Sequence, residues 1–109
     1  MRRLVILESP YAGDVEANLA YARRCLRDCL ERGEAPFASH LLYTQPGVLD
    51  DTNPDERWWG IDAGLDWGLV ADATVVYTDR GISEGMREGI RRAELVESRP
   101  VEYRTLGAP

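Results

Sequence analysis

The stretch ATVVYTDRGISEGMREGIRRA, residues 73–93, decides the fold, because a short apolar run is followed directly by a polar turn and a helical pattern. Residues 73–77 suit a strand that is buried on both faces. Ser83 is a favourable N-cap for a helix over residues 83–96. A buried strand that leads into a helix is typical of a parallel α/β sheet.

The rest of the chain follows the same alternation. Leu4 to Leu7 is an apolar run that Glu8 ends, and a helix stripe follows from Asp14 to Gly33. The remaining predicted elements are a strand at residues 36–42, a long loop at 43–55, a helix that begins near residue 54, and a strand at 100–106.

This order predicts one α/β domain over residues 1–109, with helices on both faces of a parallel sheet of four to five strands. The natural strand order is 2-1-3-4. Chain direction then reverses between strands 1 and 3, and ligands bind outside the carboxyl ends of the strands at such a switch point. The two loops that meet there are residues 8–14 and 78–83.

Candidate site residues cluster at this predicted edge. Ser83 would cap the third helix, whose free amides suit an anionic group. His40 ends the second predicted strand, either as a structural residue or as a contact to a base. The candidate substrate-binding residues are Ser9, Tyr11, Gly13, His40, Asp79, Ser83, Gly85 and Met86.

Glu88 has two interpretations. Glu84, Glu88 and Arg92 have the spacing of a solvated salt-bridge row on a helix. Alternatively, Gly85 and Gly89 form a side of the helix without side chains, which packs directly on the sheet. Glu88 then lies at the border of that side and faces the crevice between the loops 8–14 and 78–83. Under the second interpretation Glu88 is a working carboxylate.

Composition excludes several classes of function. A formal charge of −6 argues against binding a nucleic-acid polymer or an anionic membrane. None of the 13 basic residues is lysine, which removes Schiff-base chemistry. Two cysteines and one histidine do not make a four-ligand zinc site, so neither a metal nor a cofactor is predicted. The first ten residues lack the apolar run of a signal peptide, which predicts a cytoplasmic protein.

The segments LVILESPYAG, DWGLVADATVVY and GISEGMREGIRRAE resemble the nucleoside 2-deoxyribosyltransferase-like superfamily, closest to small members from bacteria and phages. Those members carry an SxGMxxEIxxA-type helix start. The motif is represented by Ser83, Gly85, Met86, Glu88 and Ala93, with Gly89-Ile90 after the glutamate. The resemblance implies a three-layer α/β/α flavodoxin-like (Rossmannoid) fold.

The resemblance also implies cleavage of the N-glycosidic bond of a nucleoside or nucleotide, or transfer of its deoxyribosyl group, with Glu88 as the catalytic nucleophile. Tyr11 or Ser9 would orient that glutamate. The characterised enzymes carry an aspartate shortly before it, whereas Ile82 and Ser83 stand in that stretch and Asp79 is the nearest acid. A non-catalytic nucleotide-binding module, or a purely structural domain, therefore stays open.

A homodimer or higher homo-oligomer is expected. Related enzymes build their sites at subunit contacts, and the second helix carries Gly60, Gly64 and Gly68 at steps of four, a row that allows close approach to a sheet or a partner. Trp58 and Trp59 either pack in a core or subunit contact or stack on a base.

Overall fold

The computed structural model describes residues 1–107 and contains a four-stranded parallel sheet in the order β2-β1-β3-β4. The α/β class and the strand order predicted from the sequence are both confirmed. The strands are β1 (Arg3–Glu8), β2 (Glu34–Phe37), β3 (Ala73–Tyr77) and β4 (Val101–Arg104), and the helices are α1 (Val15–Glu31), α2 (Ser39–Leu42), α3 (Pro54–Gly68) and α4 (Glu84–Leu95).

The two faces of the sheet are covered by different helices because successive side chains of a strand point in opposite directions. Val5 and Leu7 of β1 pack in the larger core with Cys25 and Cys29 of α1. On the other face, Val76 of β3 packs with Met86 and other apolar residues of α4 in a smaller core. Glu8 follows Leu7, so its side chain lies on the α4 face.

The second strand is shorter and earlier than predicted. β2 pairs with β1 over residues 34–37, whereas residues 39–42 form the single-turn helix α2 instead of continuing the strand. Gly33, with φ of +84°, ends α1 and turns the chain straight into the sheet, so pairing starts at Glu34. Leu41 and Leu42 then donate backbone hydrogen bonds to Ala38, which closes the turn.

The three predicted helix starts are confirmed by their caps. Asp14 accepts a hydrogen bond from the amide of Ala17, and Ser83 accepts one from the amide of Met86. Asn53 caps α3, with Pro54 in the first turn. Each cap satisfies amides that have no partner inside the helix.

Helix α3 lies on the same face of the sheet as α4 but is loosely held. Phe37 of β2 stacks on Trp67 with ring centroids 5.1 Å apart. Gly64 faces Ser39 of α2, and a Cβ at residue 64 would lie 3.1 Å from the Cβ of Ser39. The glycine row therefore brings α3 against α2, while Trp58 and Trp59 stay exposed.

Candidate functional site

The candidate site lies where β1 and β3 run side by side and their following loops diverge. Glu8 pairs with Val76 at the carboxyl end of the two strands. From this edge β1 continues to α1 on one face of the sheet, and β3 continues to α4 on the other. This is the switch point that the strand order predicted.

The structure brings Ser9 and His40 together. Ser9 is buried, and its Oγ lies 2.7 Å from Nε2 of His40 in a hydrogen bond. Burial lowers the pKa of His40 to about 4. The imidazole is therefore neutral at pH 7 and fixes the β1 loop to α2, the helix that replaces the predicted strand end.

The rest of the β1 loop is held by its backbone. The side-chain amide of Asn18 donates to the carbonyl oxygens of Tyr11 and Ala12, at 3.1 and 3.0 Å. Gly13 adopts a φ of +100°, which favours glycine, just before the Asp14 cap. The Tyr11 side chain is half-buried, so this loop presents one aromatic ring at the edge.

Asp79 is engaged in internal hydrogen bonds. The phenol of Tyr21 donates to its carboxylate at 2.6 Å, and the amide of Leu106 donates at 3.1 Å. Burial opposes ionisation, but these hydrogen bonds lower the pKa of Asp79 below its usual value. Asp79 therefore ties the segment after β4 to α1, which leaves it few lone pairs for a substrate.

The start of α4 agrees with the prediction at Ser83 and differs from it at Gly85. Ser83 caps the helix as predicted, the Met86 side chain lies in the smaller core, and the substrate-binding roles of both stay predictions. Gly85, predicted to seat on the sheet, is exposed, and a Cβ added there would have no neighbouring atom within 4 Å. Only the second glycine, Gly89, faces the sheet, because Gly85 lies one turn, about 6 Å, nearer the start of the helix.

Glu88 lies on the solvent side of α4. Its side chain is 67% exposed and forms an ion pair of 2.6 Å with Arg91, one turn along the helix. This arrangement corresponds to the solvated alternative, with Arg91 in place of Arg92. The structure does not bring Glu88 to Ser9 and His40, and its role as a nucleophile stays a prediction.

Glu8 is the carboxylate that the structure places against α4. A Cβ added at Gly89 would overlap the Glu8 carboxyl and lie 2.6 Å from its Cδ. The residue is half-buried. Burial raises the pKa of Glu8 to about 8, although the guanidinium of Arg99 acts in the opposite direction. Glu8 is thus a carboxyl group at the switch point whose surroundings disfavour its ionised form.

The sequence placed Glu8 at the end of the first strand and in the switch-point loop 8–14, but Glu8 was not among the predicted site residues. One signal was available in the motif itself. When Ser83, Gly85 and Met86 are matched to SxGMxxEIxxA without a gap, the glutamate position falls at residue 89, which is glycine, and Ile90 and Ala93 also match. The sequence therefore has glycine at the glutamate position of the helix motif and a glutamate, Glu8, at the end of the first strand.

A cavity of about 310 Å³ opens on the α1 side of the same edge. Arg24 and Arg80 line it together with Tyr21 and Asp79. The Nε of Arg80 donates to the side-chain oxygen of Asn18 at 2.9 Å, which holds the guanidinium in place. Two arginines against one carboxylate make this cavity locally positive in a chain of formal charge −6.

Two properties of the described chain bear on its function. Within residues 1–107, no three histidine, cysteine, aspartate or glutamate side chains gather in a way that could hold a metal ion. In the same range no helix has both the length and the apolar character needed to cross a membrane.

The parallel sheet in the order β2-β1-β3-β4, with helices on both faces, defines a flavodoxin-like α/β protein. A family model described as a domain of unknown function, DUF7768, matches residues 3–104, so the chain belongs to that family. A comparison with curated proteins finds no match.

One solved structure with the same fold is a 2-deoxyribosyltransferase from Bacillus psychrosaccharolyticus, described as a biocatalyst for the synthesis of nucleosides. It superposes with a TM-score of 0.64 at 16% sequence identity, covering 97% of this chain and 74% of that one. At this identity the likeness shows the fold.

Proposed function

We propose that this protein binds a nucleoside or nucleotide at the β1/β3 edge and cleaves its N-glycosidic bond, either by hydrolysis or by transfer of the deoxyribosyl group. The observation that carries the proposal is the cavity lined by Arg24 and Arg80, which lies between α1 and the segments that follow β3 and β4. Two guanidinium groups suit the phosphate of a nucleotide monomer. The likeness of fold to a 2-deoxyribosyltransferase supports the reaction class.

The reaction needs a carboxylate beside the anomeric carbon of the sugar. In a retaining displacement this carboxylate attacks the sugar and stabilises a transition state with oxocarbenium character. The sequence predicts Glu88 for this role. Ser9, Tyr11 and His40 would contact the sugar or the base at the same edge, and no cofactor takes part in the proposal.

The test is release of free base from 2′-deoxynucleosides and from their 5′-monophosphates, followed by chromatography. We expect release by the wild-type protein, with the monophosphates preferred because Arg24 and Arg80 hold the phosphate. Arg24→Gln should then raise KM for the monophosphate more than for the nucleoside. If the wild-type protein releases no base from any of these nucleosides or monophosphates, the proposal is contradicted. If Glu88→Ala releases base at the wild-type rate, Glu88 is not the nucleophile.

A non-catalytic nucleotide-binding module is the second candidate, favoured by the solvent-side position of Glu88 and its ion pair with Arg91. Under this alternative, calorimetry would show binding of a 5′-monophosphate without base release. The Arg24→Gln variant would weaken that binding, whereas Glu88→Gln would leave it unchanged.

A further inference from the structure

We propose that Glu8, not Glu88, supplies the carboxylate that attacks the sugar, and that Gly89 is needed to leave room for it. This inference rests on the function proposed above. It begins with the position of Glu8 as the last residue of β1, paired with Val76 at the carboxyl edge of the sheet.

The contact with α4 fixes where the carboxyl group lies. The Glu8 carboxyl fills the space in which a side chain at residue 89 would begin, since a Cβ there would be 2.6 Å from Cδ and 3.0 Å from Oε1. Any residue other than glycine at position 89 would displace it. The carboxyl group of Glu8, from β1, therefore occupies the position that the side chain of residue 89 of α4 would otherwise take.

The Glu8 carboxyl is free to act on a ligand. Among residues 1–107 no side chain or backbone group donates a hydrogen bond to it, whereas the Asp79 and Glu34 carboxylates each accept two or more. The residue also keeps part of its surface in contact with solvent. A poorly solvated carboxylate with free lone pairs is a better nucleophile than a hydrated one.

Arg99 supplies positive charge on this face of the sheet. Its guanidinium donates to Oγ1 of Thr74 and to the carbonyl of Gly68, and it forms an ion pair with Glu97, so it is held in place. The field of Arg99 favours the ionised form of Glu8. With a pKa of about 8, Glu8 is mostly protonated at neutral pH, so the attacking species is its ionised fraction, which the charge of Arg99 increases.

The chemical step balances with water alone. A carboxylate oxygen of Glu8 attacks the anomeric carbon, the C–N bond breaks, and its electron pair leaves with the base, which takes a proton from water. The resulting glycosyl ester is then opened by water or by the nitrogen of a second base. That second step loses one proton to solvent and restores the Glu8 carboxylate.

Glu84 serves as the matched control because it is also a glutamate of α4 and is exposed. Base release is measured for wild-type protein, Glu8→Gln, Glu84→Gln and Glu88→Gln, each checked for folding by circular dichroism. We expect kcat to fall by on the order of 100-fold or more in Glu8→Gln and to change less than about threefold in Glu84→Gln. An unimpaired Glu8→Gln variant, or a loss in Glu88→Gln as large as that in Glu8→Gln, would overturn the assignment.

A second variant moves the carboxylate back to the helix. In Glu8→Ala/Gly89→Glu the side chain at residue 89 can enter the vacated space, and we expect it to recover base release above the level of Glu8→Ala alone. Equal rates in these two variants would count against the shared location of the two carboxylates.

The outcome in which wild-type protein releases no base is also decisive. It contradicts the proposed reaction, and Glu8 is then tested by carbon-13 NMR of its carboxyl carbon, identified by its loss in Glu8→Gln. A shift of this resonance on addition of 2′-deoxyadenosine would retain Glu8 as a ligand-facing carboxyl. An unchanged resonance under binding conditions would overturn the assignment.

Discussion

Gly85 and Gly89 lie four residues apart on α4 and have opposite surroundings. A methyl group at residue 89 would overlap the Glu8 carboxyl, whereas one at residue 85 would meet no atom within 4 Å. Gly85→Ala should therefore raise the free energy of unfolding by up to about 1 kcal/mol through helix propensity. Gly89→Ala should stabilise less than Gly85→Ala, by up to about 1 kcal/mol, because its methyl group must push the Glu8 carboxyl, the end of a flexible side chain, out of its position.

Urea denaturation of both variants measures this difference. Repeating Gly89→Ala in the Glu8→Ala background isolates the contact, because alanine at residue 8 removes the overlapping atoms. The double variant should then be more stable than Glu8→Ala alone. An equal effect of Gly89→Ala on stability in the two backgrounds would show that Glu8 does not lie against α4.

Glu8 should also make stability depend on pH. Its pKa is about 8 in the folded protein, above the ordinary value of 4.5, and Arg99 is the charged group that acts on it. Between pH 4.5 and pH 8, Glu8 is ionised in the unfolded chain but protonated in the folded protein. The free energy of unfolding of the wild-type protein therefore falls as pH rises through this range. Glu8→Gln does not ionise and should be the more stable protein above pH 8, by on the order of a few kcal/mol.

The measurement is the difference in unfolding free energy between wild-type protein and Glu8→Gln at pH 5 and at pH 8.5. The difference should widen toward high pH. A difference that stays constant, or that favours wild-type protein at pH 8.5, would mean that the Glu8 carboxyl is solvated like an exposed glutamate.

Single residues also show what a sequence predicts. The capping roles of Asp14 and Ser83 were correctly predicted, because a cap bonds to amides two or three residues away. The contact between Glu8 and Gly89 was missed, since it joins two segments that become neighbours only when the sheet and α4 pack together. The same limitation applies to Asp79, whose partners Tyr21 and Leu106 are distant in the chain.

At the scale of whole elements, α3 was correctly located and its packing was only partly anticipated. Its glycine row contacts α2 and the preceding loop, and Trp58 and Trp59 are 60% and 64% exposed. The predicted strand at residues 36–42 failed for a related reason. β2 ends at Phe37, and the apolar residues after it bury Leu41 through a helical turn, which a short apolar run does not distinguish from a strand.

The exposed face of α3 underlies the prediction of a homodimer. All three tryptophans lie on this helix, so burial between subunits should shift tryptophan emission to shorter wavelength as protein concentration rises. Light scattering should show a dimer at micromolar concentration, and Trp58→Ser/Trp59→Ser should dissociate it. The variant Tyr103→Ser, which removes an exposed aromatic residue from β4, is the control. A wild-type monomer throughout this range would contradict the prediction.

At the scale of the whole molecule, a buried ion-pair network links the strands. Arg104 of β4 donates to both carboxylate oxygens of Glu34 in β2, at 2.7 and 2.6 Å, and Glu34 is only 5% exposed. The hydrogen bonds from Arg104 lower the pKa of Glu34 below its usual value. The stability that this pair contributes is therefore present at neutral pH and is lost as pH falls through the lowered pKa of Glu34.

Glu34→Gln should lower the free energy of unfolding at pH 7 by about 3 kcal/mol, because it leaves the buried Arg104 charge without its main partner. Glu31→Gln removes an exposed pair with Arg27 and should change stability by less than about 0.5 kcal/mol. Urea denaturation of the two variants provides the comparison. Equal effects would show that the Glu34 network adds no more than a surface ion pair.

The overall topology was the most predictable feature. Alternation of buried strands and helices specifies a parallel sheet with right-handed crossovers, which leaves few possible strand orders. The general location of the candidate site was inferred from that order. The chemistry proposed for it could not be inferred in the same way, because it depends on which carboxyl group the packed helices enclose.

The most direct test of the central claim is to locate the covalent sugar adduct. Wild-type protein is mixed with 2′-deoxyadenosine, quenched rapidly in acid and digested with trypsin, which separates residues 4–23 from residues 88–91. We expect a deoxyribosyl mass increase on the first peptide, placed at Glu8 by fragmentation. An adduct on residues 88–91, or base release with no adduct at Glu8, would contradict it.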